Sequence, residues 1–327
     1  MTVQITIIGL GQIGASIGLA LADHKELLYR VGHDRDFKNA QQALKAGAVD
    51  KVENNLPKSV QNAGIVLLSL PVDQVRETLE FIAPDLGEGT VVMDTGPVKE
   101  VVANWAAELL PEGRHYVGLT PVLNPLYLFS MDAGLQAARA DLFGKGLMAI
   151  VTPQKSSSEA IKLAADLTRL LGANPLFADP VEMDGLMAAT HVLPQLIAAS
   201  LTNATMDQPG WREGRKIAGR DYAEVTGPLA HLWDSKTLAA EASLNRENVL
   251  RMLDSVIAAM QVIRNDINQK DEDALNERLE RAFMGRSKWW QERQSGDWSA
   301  DGAAKLEMPE KGGFLGRMFG KSSKTEK

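Results

Sequence analysis

The chain contains no cysteine. That excludes disulfides, thiolate nucleophiles and cysteine-ligated metals, and it suits a cytoplasmic protein without requiring one. No stretch reads as long and apolar enough to span a bilayer. No signal-peptide pattern precedes the first strand, and no internal repeat is visible. An excess of basic residues is also missing: the formal net charge is -7, so no nucleic-acid partner is expected. The five histidines show no metal-ligand spacing, and no metal is expected. What remains is a globular composition, 45% hydrophobic and 24% charged over 327 residues, enough for two domains with sizeable cores.

What is present starts at Thr2. An apolar run of strand type, Val3 to Ile8, leads into Gly9-Leu10-Gly11-Gln12-Ile13-Gly14 and then an Ala/Leu/Ile-rich helical pattern. Strand, glycine turn and helix in that order form the context of a dinucleotide fingerprint. Gly9 serves the tight turn, Gly11 the close approach of a pyrophosphate, and Gly14 the packing of helix on strand. Free N–H groups at the helix start face the anion. A second apolar stretch ends at His33-Asp34, with Asp34 twenty residues after Gly14. A carboxylate there accepts from the ribose hydroxyls and repels a 2′-phosphate, favouring NAD; the adjacent Arg35 leaves NADP possible.

Further on, strand patterns at Ile65–Leu70, Thr90–Met93, His115–Leu119 and Leu147–Val151 alternate with helical ones at 37–46, 72–82, 101–110 and 158–171. The alternation predicts an α/β fold: a Rossmann-type, doubly wound parallel sheet. Ligands in such sheets sit beyond the carboxyl ends of the strands, which places Asp34, Ser69, Leu70, Pro71, Asp94 to Lys99 and Thr120 around one cleft. Strand signals stop near Asp179-Pro180, and long Ala/Leu/Met-rich helical segments follow at 183–203 and 235–266, with an irregular stretch at 219–233. The expected organisation is a nucleotide-binding domain over 1–180, an all-α C-terminal dimerisation domain over 181–284, and a flexible tail over 285–327. The tail carries Trp289, Trp290 and Trp298, then a basic segment around Arg317 and Lys321. The bland reading of the tail is favoured over a membrane or partner contact.

From Ile5 to about Met260 the chain resembles prephenate and arogenate dehydrogenases, the oxidoreductases of tyrosine biosynthesis. The resemblance rests on Gly9 to Gly18, Pro71-Val72, Asp94 to Lys99 and Gly118 to Pro121. It continues through Leu171-Gly172-Ala173, Asp184, Thr190 to Pro194, and Gly210 to Ala218. It implies an NAD(P)-binding domain and a helical domain that forms a homodimer. The implied reaction oxidises a ring hydroxyl, passes hydride to NAD(P)+ and aromatises the ring by loss of CO2. Such a site needs a hydrogen-bond acceptor on the hydroxyl, usually histidine, and cations for the substrate carboxylates.

The resemblance breaks at those positions. The family's Gly-His-Pro is Leu119-Thr120-Pro121 here. Its Asp-x-Gly-Ser-x-Lys has Pro97 in place of the serine. Its His-Leu-Pro-His is His191-Val192-Leu193-Pro194-Gln195, and the arginine before Ile-Ala is Lys216, or Arg215 with a one-residue slip. The implied catalytic set is Thr120, His191 and Lys99. The implied substrate-binding set is Arg212, Arg215, Lys216 and Gln195, facing a small carboxylate. Two other readings stay open: a related dehydrogenase acting on another small carboxylate, and a weakly catalytic dinucleotide-binding sensor or partner protein.

Overall fold

A computed structural model describes residues 2–130, 132–154, 156–232 and 234–296. The chain divides after Met183 into two compact units, three residues past the expected boundary at 180.

The first unit opens with β1 (Val3–Ile8), α1 (Gln12–Ala20), β2 (Leu28–His33), α2 (Phe37–Lys45), β3 (Lys51–Val52) and α3 (Leu56–Val60). β4 (Ala63–Leu68), α4 (Val72–Ile82), β5 (Val91–Asp94), α5 (Glu100–Leu109) and β6 (His115–Pro121) follow. β7 (Leu147–Val151), α6 (Ser158–Leu170) and β8 (Asn174–Ala178) complete it. Local chemistry sets several boundaries. The Asp36 side chain caps α2 by accepting from the Lys38 N–H, and Ser157 caps α6 by accepting from the Ala160 N–H. Ile5, Ile7, Ile65 and Leu67 are fully buried, and the continuous apolar runs that contain them suit strands covered on both faces.

The eight strands form one sheet in the order β3-β2-β1-β4-β5-β6-β7-β8. β1 pairs in parallel with β2 and β4, so the chain reverses its direction of travel across the sheet between β1 and β4. That switch point opens a crevice at the strands' carboxyl ends. The sheet departs from the all-parallel expectation at one seam: β7 runs antiparallel to β6. A parallel return needs a crossover of a dozen or more residues, usually a helix, and the described residues of 122–146 supply only short 3-10 turns. β3, α3 and β8 have no counterpart in the sequence reading. Each is short or interrupted by polar residues, and sheet pairing rather than local pattern creates the strands.

The second unit is helical. α7 (Pro180–Met187), which crosses the unit boundary, runs through a π turn (Ala188–Val192) into α8 (Leu193–Met206). α9 (Trp211–Ile217), α10 (Arg220–Thr226), α11 (Ser235–Leu244), α12 (Arg246–Gln269) and α13 (Glu272–Ser295) follow. The irregular stretch expected at 219–233 contains α10, and the single segment expected at 235–266 is two helices broken at Asn245. α13 also overturns the tail's expected start: residues 285–295 continue a helix capped by Asp271, whose side chain accepts from the Ala274 N–H. Trp298 and the basic segment at 312–327 lie outside the described residues.

One further expectation is corrected. The helical run Pro180–Met206 spans 27 residues with mean hydropathy 1.2, long and apolar enough to cross a bilayer by length and composition. It interrupts its α-helical pattern at the π turn and carries His191, Gln195 and Asn203. Its Ala188 and Val192 pack in the unit's own core beside Leu238 and Val249.

Candidate functional site

The glycine turn follows from sterics. Gly9 has φ +90, and a Cβ on it would lie 2.3 Å from the Ser69 carbonyl oxygen. A Cβ on Gly14 would lie 2.0 Å from the Gly9 carbonyl oxygen. Both glycines are therefore required by close backbone packing between β1, α1 and the end of β4. Gly11 differs: a Cβ there would meet nothing within 4 Å. Space is kept open at the position where a pyrophosphate passes the backbone. Gly11 caps α1 without any side-chain acceptor, and the first turn holds no acidic residue. The N–H groups of that turn stay available to an anion. Leu10 points into the core, Gln12 and Ile13 are half-buried, and Ser69-Leu70-Pro71 line the neighbouring strand end, half-buried.

Asp34 stands at the end of β2, half-buried, and its carboxylate is held in place from three sides. Oδ2 accepts from the Leu10 N–H at 2.8 Å and from Asn39 Nδ2 at 2.7 Å, and Oδ1 accepts from the Asp36 N–H at 2.8 Å. Asn39 also donates to the Leu10 carbonyl at 3.2 Å, tying the glycine turn to the acid. Sequence reading missed Asn39; its five-residue offset from Asp34 along α2 is the signal that could have found it. Oδ2 is filled by its two donors, and Oδ1, with one, keeps a lone pair for a ribose hydroxyl. Arg35 is exposed beside it. These residues fit a dinucleotide: an open anion position, free helix N–H groups and an oriented ribose acceptor.

Asp94 and Lys99 meet in the interior of the first unit. Lys99 Nζ sits 2.7 Å from Asp94 Oδ2, with side-chain exposures of 0% and 1%. Tyr116 donates its hydroxyl to Asp94 Oδ1 at 2.5 Å, and the Gly96 N–H donates to Oδ2 at 2.9 Å. Asp94 thus accepts from three protein donors, and the Lys99 ammonium is paired with it inside the first unit. The stem of Lys99 passes where a side chain on Gly118 would be: a Cβ there would come within 2.9 Å of Lys99 Cδ.

Thr120, near the end of β6, pairs with Ala149 of β7 and is 4% exposed. Its Oγ1 is buried without a hydrogen-bond partner. Pro97 is half-buried in the turn after β5. His115 starts β6, opposite Val91, at the other end of the strand from Thr120.

In the helical unit, His191 lies in the π turn, a rare backbone form that is frequent at functional sites. The turn sits where this chain has one more residue between histidine and Leu-Pro than the His-Leu-Pro-His pattern. His191 Nε2 lies 3.6 Å from Oε2 of Glu241, a carboxylate only 8% exposed. Gln195 donates through Nε2 to the His191 carbonyl at 2.9 Å, so its amide nitrogen braces the turn. On α9, Arg212 and Lys216 are 84% and 63% exposed, reaching Glu213 only at 4.0 and 3.8 Å. Arg215 is exposed on the same helix. Arg220 hydrogen-bonds Glu224 at 2.7 Å, which raises its pKa.

An open glycine turn at a sheet switch point, with an oriented carboxylate on the next strand, defines a dinucleotide-binding domain of the NAD type. Residues 17–176 match the family model for the prephenate dehydrogenase nucleotide-binding domain, and residues 179–281 match that for the prephenate dehydrogenase dimerization domain. The chain belongs to the prephenate dehydrogenase family and is an NAD-dependent oxidoreductase of that type. The first match begins past Gly14, so the glycine turn and the family match are separate observations.

Prephenate dehydrogenase of Bacillus subtilis is 27% identical over 276 residues, covering 83% of this chain and 72% of that protein. Cyclohexadienyl dehydrogenase of Zymomonas mobilis is 27% identical over 293 residues, covering 86% and 94%. Among solved structures, prephenate dehydrogenase from Aquifex aeolicus in complex with hydroxyphenyl propionate and NAD+ superposes with a TM-score of 0.78. It is 20% identical, covering 88% of this chain and 98% of that one. Arogenate dehydrogenase of Synechocystis gives 0.69 at 21% identity, covering 88% and 99%.

Proposed function

We propose that this protein oxidises and decarboxylates prephenate or arogenate, with NAD as the preferred cofactor. The observation that carries the proposal is the intact glycine turn and Asp34 acceptor in a chain whose two parts both match this family. Bound NAD+ supplies the hydride acceptor. The protein's own groups do the rest. The α1 N–H groups hold the pyrophosphate, Asp34 orients the ribose, and Arg212 with Arg215 or Lys216 holds the substrate carboxylates.

The NAD preference follows from Asp34, whose fixed negative charge disfavours a 2′-phosphate. The homodimer is proposed on the exposed face of α12. Its 24 residues bury only Val249 and Asp266, and leave Ile257, Met260 and Ile267 more than half exposed. Sedimentation of the purified chain tests that directly.

The deciding experiment follows NADH or NADPH formation with prephenate and with arogenate. NADH formation with either, faster than NADPH formation, supports the proposal. Tight NAD binding with neither substrate oxidised favours the sensor reading, to which the replaced histidine at Thr120 and the buried Lys99 lend support.

A further inference from the structure

We infer that Glu241 is a positioning residue for His191, and that this pair accepts the substrate's hydroxyl proton in place of the histidine replaced by Thr120. The inference rests on the dehydrogenase reading above.

The supporting geometry is local to the helical unit. Glu241 is the sole acidic residue of α11, whose sequence SKTLAAEASL is otherwise mostly small or apolar. A buried carboxylate is costly unless it is paired. Among the described residues, His191 is the cationic or histidine side chain in ion-pair range of it. An alanine or leucine at 241 would avoid that cost, so the carboxylate is not there to fill the core. Its partner is held from two directions: the π turn displaces the backbone at 191, and Gln195 binds the His191 carbonyl at 2.9 Å.

The chemistry follows from which nitrogen faces the carboxylate. The tautomer with its proton on Nε2 turns that proton toward Glu241 Oε2, 3.6 Å away, and leaves Nδ1 as the lone-pair acceptor. Nδ1 has no protein partner among the described residues, and the side chain is 44% exposed. A base held by an orienting carboxylate, with its other nitrogen open, is the arrangement proton abstraction needs.

Other ionisable groups on the elements packed against the π turn have different roles. α8 carries none. α11 adds Lys236 in its first turn. At the start of α12, Arg246 pairs with Glu247 and Arg251 with the Asn248 side chain, and Asp254 follows. In the first unit, Lys99 and Asp94 neutralise each other and Thr120 has no basic group.

The step balances as follows. The C–H bond at the carbinol carbon breaks, and its electron pair leaves as hydride to the nicotinamide. The O–H proton passes to Nδ1 of His191, and a carbonyl forms. The bond to the ring carboxylate then breaks, its electron pair enters the ring, and CO2 departs. The oxygen, now phenolic, takes the proton back from His191.

The test combines nitrogen NMR of histidine-labelled full-length protein with steady-state kinetics on prephenate and NAD. The wild type is expected to show His191 as the Nε2–H tautomer, and Glu241→Ala to lose that preference. Glu241→Ala is also expected to lower kcat about tenfold or more while KM changes less than twofold. Glu241→Gln, which keeps an acceptor facing Nε2, recovers part of the rate; it also serves if the alanine variant does not fold. His191→Asn combined with Glu241→Ala is expected to be no slower than His191→Asn alone. An Nδ1–H tautomer in the wild type, an unchanged kcat in Glu241→Ala, or additive losses in the double variant would overturn the inference. A wild type that oxidises neither prephenate nor arogenate would overturn the functional reading and the base role with it. The tautomer spectra would then still decide whether Glu241 positions His191.

Discussion

Lys99 and Asp94 form an ion pair 2.7 Å long inside the nucleotide-binding unit, five residues apart and both essentially inaccessible. This buried pair gives the lysine, which the family resemblance places in the catalytic set, a structural role as well. Removing one member of such a pair strands the other charge, at a cost of about 3–5 kcal/mol. Lys99→Met should lower the unfolding free energy of the first unit in urea by an amount in that range. An exposed anion receptor would instead leave stability unchanged and raise KM, and that outcome would refute the assignment.

The glycine turn separates two effects that sequence alone merges. Gly14→Ala places a methyl 2.0 Å from the Gly9 carbonyl oxygen, so α1 must move off β1. The expected result is a loss of several degrees in Tm. Gly11→Ala meets no protein atom within 4 Å and keeps an extended backbone that alanine adopts freely. It should fold as the wild type does and bind NAD at least tenfold more weakly, because its methyl enters the space left for the pyrophosphate. Calorimetry and fluorescence titration on the two variants read these outcomes separately.

How much of this could be seen in the sequence depends on how far apart the partners lie. The strand, glycine turn, helix and Asp34 sit within one βαβ unit, and local spacing specified all four. The burial of Lys99 depends on Gly118, nineteen residues on and lacking the Cβ that would block the lysine stem. Glu241 meets His191 across fifty residues, with α8, α9 and α10 between them in the chain. No periodicity encodes either meeting. The antiparallel β7 was hidden for another reason: its apolar run has no direction written in it, and the lack of a crossover helix among the described residues of 122–146 decides the matter.

Arg30 and Asp50 provide a pH-dependent clamp on the same unit. Arg30 is 2% exposed; it donates to both Asp50 oxygens, at 2.7 and 3.0 Å, and to the Gly18 carbonyl at 2.6 Å. Burial alone would raise the Asp50 carboxyl, but the hydrogen bonds and charge of Arg30 override it and hold the pKa below the ordinary value. A carboxylate depressed in the folded state stabilises fully above its unfolded value of about 4, and that stability is lost as pH falls through the folded value. Asp50→Asn should therefore cost about 2 kcal/mol at pH 7. The gap between wild type and variant should stay constant down to about pH 5 and close below about pH 4. A gap unchanged at pH 3 would remove Asp50 ionisation from the account.

Thr120 offers a prediction in which stability and activity move in opposite directions. Its Oγ1 is buried without a partner, and an unsatisfied buried hydroxyl costs about 1–3 kcal/mol. Thr120→Val keeps the β-branched shape that suits a strand and removes that oxygen, so the folded protein should gain about 1 kcal/mol. If the hydroxyl is kept for a ligand, it gains its missing partner only when cofactor or substrate is bound. The variant should then show a higher Tm without ligand, a smaller rise in Tm on adding NAD and substrate, and a lower kcat/KM. Because a threonine hydroxyl does not ionise in the working range, the pH profile should keep its shape while its height falls. A valine variant that is more stable and equally active would show that Thr120 fills space at the end of β6. A changed pH profile would mean that Thr120 acts through a neighbouring ionisable group.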